Sequence, residues 1–181
     1  MPLQELPPDV LKMLAKYAAS PRLVAHLTIV HDVAITLLEQ IDASWPLLHY
    51  ERESVLIGAA THDVGKTVYP DELIGPGSQH EEIGPQLLRE SGFPENHARF
   101  AHTHGQWERE AAVQLEDILV AFADTIWKGK RNEALEQALA LQIAEQCQQE
   151  VWEVYMKLDD IACELAKEAH ERIIWQGKYQ L

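Results

Sequence analysis

The sequence predicts an all-α domain, and three observations carry that prediction. Apolar residues recur at spacings of three and four along most of the chain, the period of helices with one buried face. No run of strand length alternates apolar and polar residues between hairpin turns. Proline and glycine fall where one periodic segment gives way to the next. With 181 residues, 46% of them hydrophobic, the chain reads as one domain. A domain of this size buries roughly 70% of the surface its unfolded form exposes. Its core therefore needs no disulfide or structural metal, and dominant disorder is excluded.

The elements follow in order. A short helix over about 9–19 stops before Ser20-Pro21, where Ser20 caps a second helix, 21–41, and Pro21 takes its first position. A third helix spans 50–63 and ends at Gly65. The segment 67–79 holds Pro70, Gly75, Pro76 and Gly77, a loop long enough to cover or frame a site. A fourth helix, 79–90, contains Pro85, which removes one backbone hydrogen bond. Pro94 opens a fifth helix ending by Gly105, and 113–128 is a sixth. Over 132–175, Cys147, Val151, Val154, Leu158, Ile161 and Leu165 alternate spacings of four and three. This is a coiled-coil-like seam on a long helix or helical hairpin. It serves either to lay that element across the core or to pair two copies as a homodimer.

The formal charge of −14 opposes binding to extended nucleic acid, which requires a general basic surface. Sixteen residues of continuous helix would hold Cys147 and Cys163 about 24 Å apart, too far for a disulfide, and a cytoplasmic setting fits. Residues 1–10 carry acids and prolines but no basic-then-apolar leader. The apolar runs 55–60 and 118–123 fall short of the roughly 20 residues a membrane span needs, so no membrane association is expected.

Nine histidines are unusual in so acidic a chain. At about 100° per residue, Val30, Val33, Leu37 and Ile41 lie within roughly 60° of His26, which directs His26 inward. The same count turns His31 and Asp32 about 140° and 120° away, toward solvent. His62-Asp63 ends a buried apolar helix, and burying an unpaired carboxylate is costly. A divalent Mn, Fe, Co, Ni or Zn ion would satisfy both groups, and the two oxygens of Asp63 allow it to bridge two ions. Asp124 ends a second apolar stretch and needs a partner for the same reason. His49, His97 and His170 have no such setting and read as surface residues.

His26 with Val30 and Ala34, then His62-Asp63-Val64-Gly65-Lys66, then Asp124, together resemble the HD superfamily of metal-dependent phosphohydrolases. His80 in His80-Glu81-Glu82-Ile83-Gly84 and His104 in Thr103-His104-Gly105 resemble the added ligands of its binuclear members; His102 is the alternative to His104. The resemblance covers about 21–131. It implies a helical HD core over 1–131, with 132–181 as a helical extension packed on the same domain. The implied metal ligands are His26, His62, Asp63, His80, His104 and Asp124, holding one or two divalent transition ions (Fe, Mn, Co or Ni, with Mg a poorer fit to four histidines). Asp63 and Lys66 become the catalytic pair, with Lys66 near the substrate. Lys128, Lys130 and Arg131 put three basic residues in four positions close to the site, suited to further phosphates or a nucleotide tail. Trp107 and Trp127 are candidates for stacking on a base, though packing is the commoner role of aromatics at helix ends.

The implied activity is hydrolysis of a phosphoester or phosphoanhydride in a small nucleotide or other phosphorylated metabolite by a metal-activated water. The segment 115–131 also resembles the HD enzymes that split dinucleoside tetraphosphates, but the loop 67–79 and the tail after Asn132 do not match that branch. The Gly-Tyr-Pro motif of the branch that cleaves cyclic dinucleotides is absent. Two other readings use the same residues. One is a di-iron oxygenase, since HD proteins with this ligand set can activate oxygen. The other is a non-catalytic metal-binding regulatory module working through the helical tail.

Overall fold

The structure, a computed structural model, describes residues 3–109 and 112–181. Met1 and Pro2, part of the leaderless reading of 1–10, lie outside the described residues. No strand occurs among the described residues, and the chain is all-α. The helices are α1 (Pro8–Lys16), α2 (Pro21–Ser44), α3 (Arg52–Thr61), α4 (Gln79–Glu90), α5 (Glu95–Ala98), α6 (Phe100–Gln106), α7 (Leu115–Ile126), α8 (Glu133–Cys147), α9 (Val151–Ala166) and α10 (Ala169–Gln176). Short 3-10 turns lie at Val64–Thr67, Pro70–Leu73 and Trp107–Arg109.

α2 is the central element, packed against α3, α7, α9 and α10. Its start follows the capping rule: the Ser20 side chain accepts a hydrogen bond from the Leu23 amide at 3.3 Å, and Pro21 opens the helix. By length and composition α2 could cross a bilayer, unlike the shorter runs weighed from the sequence. Here 61% of its most apolar 18-residue window is buried inside the protein. Its apolarity reflects being wrapped by other helices.

That wrapping corrects the reading of His31. Instead of facing solvent, His31 is buried on α2, and burial lowers its pKa, favouring the neutral ring. Angular counting assigned one buried face, whereas α2 is covered on a second flank. α9 and α10 pack on α2 in addition to α3 and α7, and Asp32 Oδ1, one residue beyond His31, accepts from the Gln4 amide at 2.9 Å. The fifth helix also differs, divided at Arg99 into α5 and α6.

The C-terminal segment is three helices. α8 ends because Gln148 adopts a left-handed conformation, φ 53°. The seam therefore does not run through: Cys147 closes α8 and Val151 is 40% exposed, while Val154, Leu158, Ile161 and Leu165 are buried in the core. Both cysteines are free.

The buried residues form two clusters. The larger joins the middle of α2 (Ile29 to Ile41) with Val55, Ala59, Phe100 and the inner faces of α7, α8 and α9. The smaller joins α1 with Leu23, Leu27, Ala60, Val64, Leu88 and Ala101. Leu27 and Ile29 flank the turn of α2 after His26, and Ala59 and Ala60 precede His62, each pair split between the clusters. His26 and His62 thus stand where the two apolar cores meet.

Candidate metal centre

Five elements deliver six side chains to one place. α2 brings His26, the end of α3 brings His62 and Asp63, the first turn of α4 brings His80, α6 brings His104 and α7 brings Asp124. Asp63 is the hub. Its Oδ2 lies 3.0 Å from His26 Nε2 and 3.6 Å from His62 Nε2, and its Oδ1 lies 3.2 Å from His80 Nε2 and 3.5 Å from His104 Nε2. Asp124 Oδ1 lies 3.4 Å from both His26 and His62 Nε2, closing the first side. One carboxylate therefore turns an oxygen to each of two histidine pairs.

The approach of α4 depends on Gly65. A Cβ there would stand 2.1 Å from the His80 carbonyl oxygen, so only glycine lets the turn after Asp63 meet the start of α4. This gives the glycine of His-Asp-Val-Gly-Lys a geometric task.

The ring orientations suit a cation. His62 donates Nδ1–H to the Ala59 carbonyl at 3.0 Å, and His104 donates Nδ1–H to the Phe100 carbonyl at 3.1 Å. A carbonyl only accepts, so the proton sits on Nδ1 and each Nε2 presents a lone pair to the centre. His80 Nδ1 meets the Glu72 carboxylate at 2.5 Å. Meanwhile Asp63 Oδ1 and Asp124 Oδ1 are buried with no hydrogen bond, although imidazole nitrogens lie close. His26 Nε2 and His62 Nε2 lie 3.3 Å apart, and ring nitrogens this close beside unbonded carboxylate oxygens fit a shared ion at each side of Asp63.

The electrostatics agree. Burial is the largest influence on Asp63 and opposes its charge, but His62, Lys66 and the contacts of His104 and His26 outweigh it and hold the carboxyl well below its ordinary range. Asp124 is held low in the same way, chiefly by His62 and His26 against burial. Burial lowers the pKa of His62. For His26 and His80, burial acts in the same direction but nearby carboxylates overcome it, and both pKa values are raised.

Lys66 donates to Asp63 Oδ2 at 2.6 Å from the next turn, with its side chain 16% exposed. Asp124 is 25% exposed, while His62 and Asp63 form the closed floor, so the centre opens on the Lys66 and Asp124 side. His102 lines a separate cavity of about 280 Å³ with Arg99 and Asp117, away from Asp63. Lys128 sits over the Trp127 ring at 5.5 Å, and Lys130 is exposed. Arg131 is not brought to the centre: its guanidinium is clamped by Glu136 at 2.6 and 2.7 Å and by Asp159 at 2.7 Å. Trp127 is buried with its ring edge-on to His26 at 5.3 Å, which leaves no free face for a base.

Glu72 was not legible as a site residue. It accepts from the His80 and Gln79 amides at 3.1 Å as well as from His80 Nδ1. These bonds outweigh the cost of its burial and lower its carboxyl pKa. In Pro70-Asp71-Glu72-Leu73 nothing distinguishes it from a solvated acid.

Residues 9–126 match the family model described as HD domain. The chain is also 27% identical over 143 residues to a tRNA (cytidine(56)-2'-O)-methyltransferase of Thermoplasma volcanium, a match taking in 71% of this chain and 38% of that protein. The chain thus spans well under half the length of that relative. No solved structure matches it.

Proposed function

Because the chain belongs to the HD-domain family, we propose that it is a metal-dependent phosphohydrolase acting on a phosphoester or phosphoanhydride bond of a small nucleotide or phosphorylated metabolite. The observation that carries this reading is the placement of Asp63, with one oxygen toward His26 and His62 and the other toward His80 and His104. Asp124 completes the first set.

When bound, a pair of divalent cations supplies a water acidified toward neutral pH and polarisation of the phosphoryl oxygens. The protein's own groups do the rest. Asp63 and Asp124 keep their negative charge and hold the cations. His62, His80 and His104 are oriented by their Nδ1 contacts, so that each is directed before substrate arrives. Lys66 donates one N–H to Asp63 and keeps others for a phosphoryl oxygen on the open side of the centre. Lys128 and Lys130, shortly after Asp124 in the chain, add positive charge for a second phosphate. The methyl transfer in the Thermoplasma relative's name is not carried over, because this chain corresponds to 38% of that protein. The net charge of −14 also favours a small substrate over extended nucleic acid.

The test combines elemental analysis of protein purified without chelator or nickel resin with phosphate-release assays on a nucleotide panel, with added Mn, in air and under nitrogen. Two metal equivalents are expected, with oxygen-independent phosphate release that disappears in Asp63→Ala. Two irons without phosphate release under any metal would transfer the chemistry to oxygen activation, and protein that binds no metal would overturn the centre itself.

A further inference from the structure

We infer that Glu81 is a protein ligand to the ion on the His80 and His104 side, an inference that rests on the two-ion reading above. Glu81 lies in the first turn of α4, where an acid ordinarily faces water and complements the helix dipole. Its neighbour Glu82 does so and is exposed, but Glu81 is only 8% exposed. Its carboxylate, His80 and His104 present ligand atoms within 4.8 Å of one another.

Two residues at the end of α6 position that carboxylate. Gly105 makes room for it, since a Cβ at position 105 would stand 2.1 Å from Glu81 Oε1. Gln106 donates from Nε2 to Glu81 Oε2. The opposite end of the same amide, Oε1, accepts from Arg109 Nη1 at 3.0 Å, which fixes the amide with its NH2 toward the acid. One neutral donor does not offset a buried negative charge. Among the described residues no basic side chain forms an ion pair with this carboxylate, so a cation between His80 and His104 is its natural counter-charge.

With Glu81 the two sides become equivalent in donor chemistry. His26, His62, Asp63 and Asp124 make one set of two imidazoles and two carboxylates, and His80, His104, Asp63 and Glu81 make the other. Both suit a borderline divalent transition ion with positions left for water.

The experiment is Mn titration of the metal-free full chain by calorimetry, with bound metal counted by elemental analysis, for wild type, Glu81→Gln and Gly105→Ala. Wild type is expected to bind two ions. Glu81→Gln should retain the first and bind the second about 10–100-fold more weakly. Gly105→Ala leaves the acid chemically intact but displaces it, and should reproduce that selective loss. Circular dichroism melts of the metal-free proteins identify any variant that fails to fold, and the other variant then carries the test. Two ions bound by either folded variant with wild-type affinity would overturn the role of Glu81 and leave the hydrolase reading standing. One ion or none in the wild type would overturn the two-ion reading itself.

Discussion

Glu72 ties a proline- and glycine-punctuated loop to the centre through one carboxylate. It caps the first amides of α4 and orients the His80 ring, the kind of carboxylate–histidine contact that sets tautomer and basicity where a histidine holds a metal. Glu72→Gln keeps the size of the side chain but weakens acceptance from Nδ1–H. Affinity for the second Mn is expected to fall about 10–100-fold, read by calorimetry, while His26, His62 and Asp124 keep the first ion. Arg131 shows the opposite case, where a chemically suitable residue is diverted: its guanidinium joins the chain before α8 to Glu136 and Asp159. Lys66, by contrast, stands where its spacing from Asp63 put it, three residues on and within hydrogen-bonding distance.

Among the elements, helix beginnings were easier to read than helix ends. Ser20, read as the cap of α2, accepts from the Leu23 amide, and Asn132 caps α8 in the same way, whereas Ser78 forms no side-chain cap bond before α4. The end of α8 carries no such mark. Gln148 stands at φ 53° with no glycine or proline to announce the break, and a side chain in that conformation costs about 1–2 kcal/mol. Gln148→Gly is therefore expected to stabilise the protein by about 0.5–1 kcal/mol, seen as a higher urea midpoint with an unchanged slope. A lower midpoint would mean that the Gln148 side chain makes contacts worth more than the strain. The division of α5 from α6 was equally hidden, since 94–105 has helical periodicity throughout.

At the scale of the molecule, the C-terminal helices share the core that carries the centre. Leu135, Leu139, Ile143, Val154, Leu158, Ile161 and Leu165 are buried together with residues of α2 and α7. Burying a side chain of this size contributes about 1.5–3 kcal/mol, so together they supply on the order of 10 kcal/mol or more, as much as the whole net stability of a typical domain. We propose that 132–181 is an integral extension of the 1–131 core. A chain ending at Arg131 is expected to lose cooperative thermal unfolding and Mn binding together. A truncated chain that melts cooperatively and still binds Mn would make the tail a separable module.

Taken by itself, the sequence determined the helical class and the starts of the main helices, and its resemblance to a known family supplied the residues expected at the centre. Periodicity and capping act over a few residues, and the spaced motif that carries the resemblance is itself a linear pattern, so both survive in the linear order. The tertiary structure decided which flanks of α2 are covered, and so that His31 is buried. It also decided where α8 breaks, that Arg131 faces Glu136, and that Glu72 and Glu81 turn inward. Each of these depends on a contact between segments far apart in the chain, where burial and charge compensation are settled by neighbours that no local pattern names.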